Sequence, residues 1–237
     1  SPSDTSVADT GSPSDTSVAD TFVADTATGD APPCGTAYAS FGLSEIMVRA
    51  ISGTGDKREW LELTNYSTTS LDVTGVTAKV FGYTMATGWT ERATLTFPSG
   101  TTLAASEAIV IAIDKTTFLD NLVSGFSAKT FDFAKIGDIL VNSSAFEVRL
   151  FGPSCTAPYE TASVARSLWP VGQSFAYPPA STTCPSTGRL TATNTLSTAW
   201  KDTAKDAAYV YGNVTIDGGV QPLYGTPGKA NVGVACP

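Results

Sequence analysis

Asp9-Thr10-Gly11-Ser12 has the makings of a loop that holds a catalytic aspartate, so acid–base hydrolysis is the first chemistry to weigh. That chemistry needs two carboxylates sharing one proton at close range, each on a rigid, supported turn. No second D-T-G or D-S-G string occurs in residues 34–237. The flanking residues give the plainer origin: SPSDTSVADT fills positions 1–10 and recurs at 12–21 after Gly11, and VADT returns at 23–26. The motif is a seam between two copies of a repeat. Glu59 and Glu62 are the nearest carboxylate pair in the rest of the chain. Three apart on a strand, they point to opposite faces and cannot share a proton, so they are expected to be strand-surface charges facing Lys or Arg. The chain has no histidine, which removes Ser-His-Asp and Cys-His catalysis, and no motif supports a Ser-Lys variant. No catalytic residue, cofactor or metal is expected, and the chain reads as a non-enzyme.

Four other groups of residues could carry function. Asp217-Gly218-Gly219 offers oxygens that calcium could use, but a plain turn accounts for it better. Asn65-Tyr66-Ser67, Asn142-Ser143-Ser144 and Asn213-Val214-Thr215 are formal glycosylation sequons. Tyr83, Trp89, Trp169 and Tyr177 could form an exposed aromatic contact patch, with half of them expected in the core instead. The cysteines, at 34, 155, 184 and 236, form no C-x-x-C pair, and without histidine a zinc site has little to build on. Two disulfides made in an oxidising compartment are expected. Of the three pairings, Cys155–Cys184 would close a Pro/Ser-rich excursion and Cys34–Cys236 would tie the ends together, although sequence does not decide connectivity.

These residues sit on a chain of two unlike parts. Residues 1–33 carry six aspartates and no Lys or Arg, so −6 of the net charge of −8 belongs to this arm. With only Val7, Val18, Phe22 and Val23 as large apolar residues, the arm cannot bury enough surface to fold alone. Residues 34–237 form the body, at −2, with no basic patch for nucleic acid. The longest purely apolar run, Ala108–Ile113, is far short of the ~20 residues of a membrane span. Ser1 is expected to be a processed end, and the protein to be secreted, extracellular or at the cell surface.

Within the body, alternating apolar residues predict short strands at Ile46–Ile51, Glu59–Asn65, 76–80, 93–97, 109–113, 146–150 and, more weakly, 164–168. Turn-rich strings such as SGTGD, NYSTTS and FPSG separate them. DKTTFLDNLVSG, ending on Gly125, predicts a helix; 199–209 is a weaker helical stretch. From Gly152 onward, Pro, Ser, Thr and Gly predict ordered loops pinned by disulfides. Seven short strands so spaced predict an all-β antiparallel sandwich.

EWLELTN, LDVTGV, TFPSGTTLAASEAIVI and YGTPGKAN, in that order, resemble the bacterial lamin tail domain family from about Leu43 to Asn231. Val76 stands where that family usually has Trp, and Ser106-Glu107 replaces a Gly-containing turn. Gln173–Tyr177 replaces an S-L-E-R string, which puts a surface ion pair in doubt. The resemblance implies an immunoglobulin-like β-sandwich used for binding or scaffolding, with no catalytic residues to carry over. Two functions follow as expectations. In one, the chain is a structural subunit whose arm adds strands to neighbouring copies through Val7, Val18, Phe22 and Val23, giving a filament or layer. In the other, the arm is a flexible linker and the body binds a surface glycan or protein.

Overall fold

A computed structural model describes residues 34–51, 57–135, 145–166, 169–177, 189–229 and 231. The arm, with Val7, Val18, Phe22 and Val23, lies outside these residues, as do Cys184, Cys236, Asn142 and Leu168.

The strands are β1 (Phe41–Met47), β2 (Trp60–Asn65), β3 (Leu71–Asp72), β4 (Thr77–Thr84), β5 (Gly88–Thr96), β6 (Thr102–Leu103), β7 (Ala108–Ala112), β8 (Lys129–Asp132) and β9 (Ala134–Lys135). They continue as β10 (Phe146–Phe151), β11 (Glu160–Val164), β12 (Phe175–Ala176), β13 (Lys201–Asp202), β14 (Val210–Ile216) and β15 (Gly219–Tyr224). Sheet I has the order β13-β12-β1-β2-β7-β8 and sheet II the order β11-β10-β4-β5-β9. Both are antiparallel except for the parallel β7–β8 pair. The expected all-β sandwich is what forms.

Period-two alternation fixes the facing sides. On β4, Ala78 and Val80 turn inward while Lys79, Phe81 and Tyr83 turn out; on β10, Phe146, Val148 and Leu150 turn inward. They meet Leu61, Leu63, Ile109 and Ile111 from sheet I in the main core. Val76, where the resembled family has Trp, is fully buried there.

β7 is buried along its whole length, because sheet I is covered on its other side as well. Met47, Trp60, Val110 and Ala112 face Tyr211, Val214 and Leu223 from the β14–β15 hairpin, together with Phe118. Phe118 rides on the only helix among the described residues, α1 (Lys115–Asp120), whose N-cap Asp114 accepts from the Thr117 N–H at 2.9 Å. The Trp60 indole N–H donates to Tyr211 Oη at 3.0 Å.

Three expectations need correction. The 199–209 stretch holds strand β13 and a single 3-10 turn at Ala207–Tyr209, because its apolar residues do not keep a helical stripe. The region beyond Gly152 is not all loop: β14 and β15 pair regularly through Asp217-Gly218, both at positive φ. That is the two-residue turn that suits strand twist. The cystine joins Cys34 to Cys155, with Cα atoms 5.8 Å apart, so neither Cys34–Cys236 nor Cys155–Cys184 forms. The segment at Cys34 lies against the turn that follows β10: a Cβ on Gly152 would come within 3.1 Å of Gly35 Cα, and the Tyr38 and Tyr159 rings pack at 6.0 Å.

Candidate functional site

The register of β1 against β2 shifts between Leu43 and Glu45, and this bulge sets Glu45 directly opposite Glu62. Both side chains are fully buried. They are not the surface charges expected of Glu62, and Glu59 is buried too, because the outer face of sheet I is covered rather than solvated. No Lys or Arg faces the pair; the chain caps it with neutral donors. Glu45 accepts from Ser174 Oγ, from the Thr226 N–H at 3.0 Å and from Thr226 Oγ1 at 2.9 Å. Glu62 accepts from Ser44 Oγ and from the Gly228 N–H, each at 2.7 Å. Burial pushes both carboxyls above their usual range, and the Glu45 charge pushes Glu62 further. Two adjacent carboxyls with raised affinity for a proton would suit acid–base work in a cleft. Here every oxygen is taken by a protein donor, so the pair is a latch that holds the Thr226–Asn231 turn to sheet I. Asn231 completes the latch by donating to the carbonyls of Ser44 and Tyr177 at 3.0 and 2.8 Å.

A second buried charge pair lies at the start of β1. Arg189 Nη1 and Nη2 donate to Glu160 Oε1 and Oε2, at 2.9 and 2.5 Å. Glu160 Oε1 also accepts from the Leu43 N–H at 3.0 Å, and Arg189 Nη1 donates to the Leu43 carbonyl at 2.8 Å. Arg189 is 4% exposed, and its guanidinium stacks 4.7 Å from the Tyr66 ring centre. Burial alone would lower its proton affinity; the Glu160 carboxylate more than offsets this, so Arg189 stays charged. Gly42 makes room for the pair, since a Cβ there would meet Arg189 Nη2 at 2.2 Å and Glu160 Oε2 at 2.3 Å. Beside the pair opens a cavity of about 320 Å³.

No family model matches this chain, and no curated protein matches it. Function is therefore argued from the residues in place.

Of the four aromatic candidates, Trp169 and Tyr177 are buried, and Tyr83 and Trp89 are exposed. The exposed two stack edge to face at 5.3 Å at the tip of the β4–β5 hairpin, beside Met85, which is 98% exposed. Around them the outer face of sheet II is closed by ion pairs, Lys79–Glu91 at 2.8 Å and Arg149–Glu147 at 2.6 Å. Asp217 sits in the hairpin turn, as the plain-turn reading holds. Asn65 is buried, with its amide donating to the Thr69 and Ala104 carbonyls, so it is no glycosylation acceptor; Asn213 is exposed on β14. Arg166 keeps an ion pair despite the altered Gln173–Tyr177 string: it reaches Asp202 at 2.6 Å and stacks 4.7 Å from Phe175.

Sequence reasoning missed Glu45, Glu160 and Arg189. The signal was faint: Glu45 interrupts the alternation expected of an apolar strand, and a charged residue out of period is either exposed or specifically paired. Nothing local marked Glu160 and Arg189 as partners.

Proposed function

We propose that this chain is an exported, non-catalytic binding module of lamin-tail type. It is displayed at the cell surface on the acidic segment 1–33 and built to carry tension through that segment. The observation that supports this reading is the place of the Cys34–Cys155 cystine. Cys34 is where the low-complexity, linker-like sequence ends and the packed body begins. A pull arriving along the chain from residues 1–33 enters the cystine first and passes into the β10–β11 turn, in parallel with β1. The 121-residue loop that it closes cannot extend while the bond is intact. A disulfide at the junction fits the oxidising environment that a surface module meets. The described residues include no helix long and apolar enough to cross a membrane.

The test is single-molecule pulling of the full chain by residues 1 and 237, before and after reduction. At ~3.5 Å per residue, the oxidised body can lengthen by at most ~280 Å, and the reduced body by ~700 Å. Equal increments in the two states would remove the cystine from the force path and refute the reading. Filaments formed by the full-length chain and lost on deletion of residues 1–33 would move the function to self-assembly.

A further inference from the structure

We propose that the cavity beside the Arg189–Glu160 pair binds a neutral, polyhydroxylated ligand, a single sugar residue. Its volume, about 320 Å³, lies at the lower end of small-molecule sites and suits one pyranose ring. Ala39, Pro158 and Leu190 supply apolar wall; Tyr159, Thr161 and Asn194 supply hydrogen-bonding groups; the ion pair lines it as well.

Two buried polar atoms among these residues have no partner in the protein, Tyr159 Oη and Arg189 Nε. Folded chains rarely leave such groups unpaired, and two at one cavity mark a place where something else supplies the bonds. The charge balance selects the ligand. An anion drawn to Arg189 would meet the Glu160 carboxylate, and a cation would meet Arg189, so the locked pair presents both signs and favours neither. The guanidinium can only donate, whereas the Tyr159 and Thr161 hydroxyls and the Asn194 amide donate and accept. A run of hydroxyls on an apolar ring answers both needs. The site is also held in place. Asn194 is at φ 60, its N–H donating to the Thr191 carbonyl and its carbonyl accepting from the Ser163 N–H.

The biological use of this site rests on the surface-module reading above, but the binding does not. The titration below applies no force, so its failure and that of the pulling experiment tell against different claims. The oxidised full-length chain is titrated by NMR with glucose, galactose, mannose and N-acetylglucosamine, each as the free sugar and as a short oligomer. Sodium phosphate and ammonium serve as charged probes. One neutral sugar is expected to saturate with Kd on the order of 1 mM, the range set by its atom count. Tighter binding of the oligomer would assign the site to a glycan end, and equal binding to the free sugar. Tyr159→Phe and Asn194→Gly should each weaken binding about fivefold, the loss of one hydrogen bond. Both should keep the wild-type Tm, because Tyr159 Oη has no protein partner to lose. Three results would overturn the proposal: no saturation by any sugar up to about 100 mM, preference for a charged probe, or sugar affinity unchanged in Tyr159→Phe.

Discussion

Replacing Arg189 by Met keeps the length of the side chain but strips its charge and all its donors. Glu160, buried against β1, then keeps only the Leu43 N–H, and the Leu43 carbonyl loses the donor at 2.8 Å. Removing one partner of a buried pair costs about 3–5 kcal/mol, because the remaining charge is desolvated without compensation. For a chain of this size each kcal/mol lowers Tm by about 2–4 °C, so Arg189→Met should lower it by roughly 6–20 °C. Glu160→Leu alone should cost a similar amount by stranding the guanidinium. The double variant strands no charge. What remains is the loss of partners for the Leu43 N–H and C=O, about 1–3 kcal/mol for each group left unsatisfied. The double variant should therefore be no less stable than either single one, and the coupling in the cycle should amount to several kcal/mol. Urea unfolding of the four proteins, followed by circular dichroism, gives the cycle. Strictly additive costs, or an Arg189→Met variant within about 1 kcal/mol of wild type, would refute the claim that the pair is desolvated and coupled.

Three further outcomes are expected. Glu62 titrates above its ordinary value of 4.5, so it favours the folded state below that pH and loses this contribution as pH rises through its folded value. Glu62→Gln should flatten Tm between about pH 4 and 8 and match or exceed wild type at neutral pH; an unchanged slope tells against a titrating latch. Its amide can fit, with Oε1 accepting from Gly228 N–H and Nε2 donating to Ser44 Oγ, whose own hydroxyl then turns to the Glu62 carbonyl at 3.1 Å. Ser106 sits at φ 61, where the resembled family has a glycine-containing turn; Ser106→Gly should gain about 0.5–1 kcal/mol, read as a higher urea midpoint, and a loss would contradict the strain. With Cys34 bonded to Cys155, non-reducing peptide mapping should join Cys184 to Cys236; a free thiol at either position would sink the two-cystine expectation.

The sandwich was legible because it rests on alternation: β2, β4, β5, β7 and β10 all form within a few residues of their expected places. The latch was not, because Glu62 was weighed against Glu59 along its own strand. Its partner, Glu45, comes from β1, and only a bulge brings the two opposite. The wrong disulfide pairing has a similar cause. Closing the ends or closing a loop are both plausible on paper, whereas the choice of Cys155 depends on how the segment at Cys34 packs against the turn after β10. The Asp217-Gly218 hairpin was readable, since Asp-Gly between alternating residues is a strong turn signal; the Pro/Ser/Thr/Gly richness around it masked the pattern. Asn65 shows the limit of motif reading: a formal sequon is spent on closing a turn.

What distinguishes β1 is the number of distant segments fastened to three consecutive residues. Leu43 holds Glu160 and Arg189, Ser44 holds the Tyr177 N–H at 2.8 Å and Asn231, and Glu45 holds Ser174 and Thr226. These are the residues of the bulge, where the extra position frees backbone groups from the β1–β2 ladder for other partners. The bulge is therefore the means by which one strand collects the irregular final third of the chain. The same strand follows directly on the Cys34 junction, so the first element that tension reaches after the cystine is also the most widely cross-tied. Reduction should then do more than lengthen the extensible chain: it should direct the pull onto Leu43, Ser44 and Glu45. Arg189→Met should weaken the reduced body under force more than the oxidised one, because in the oxidised body the cystine shares the tension.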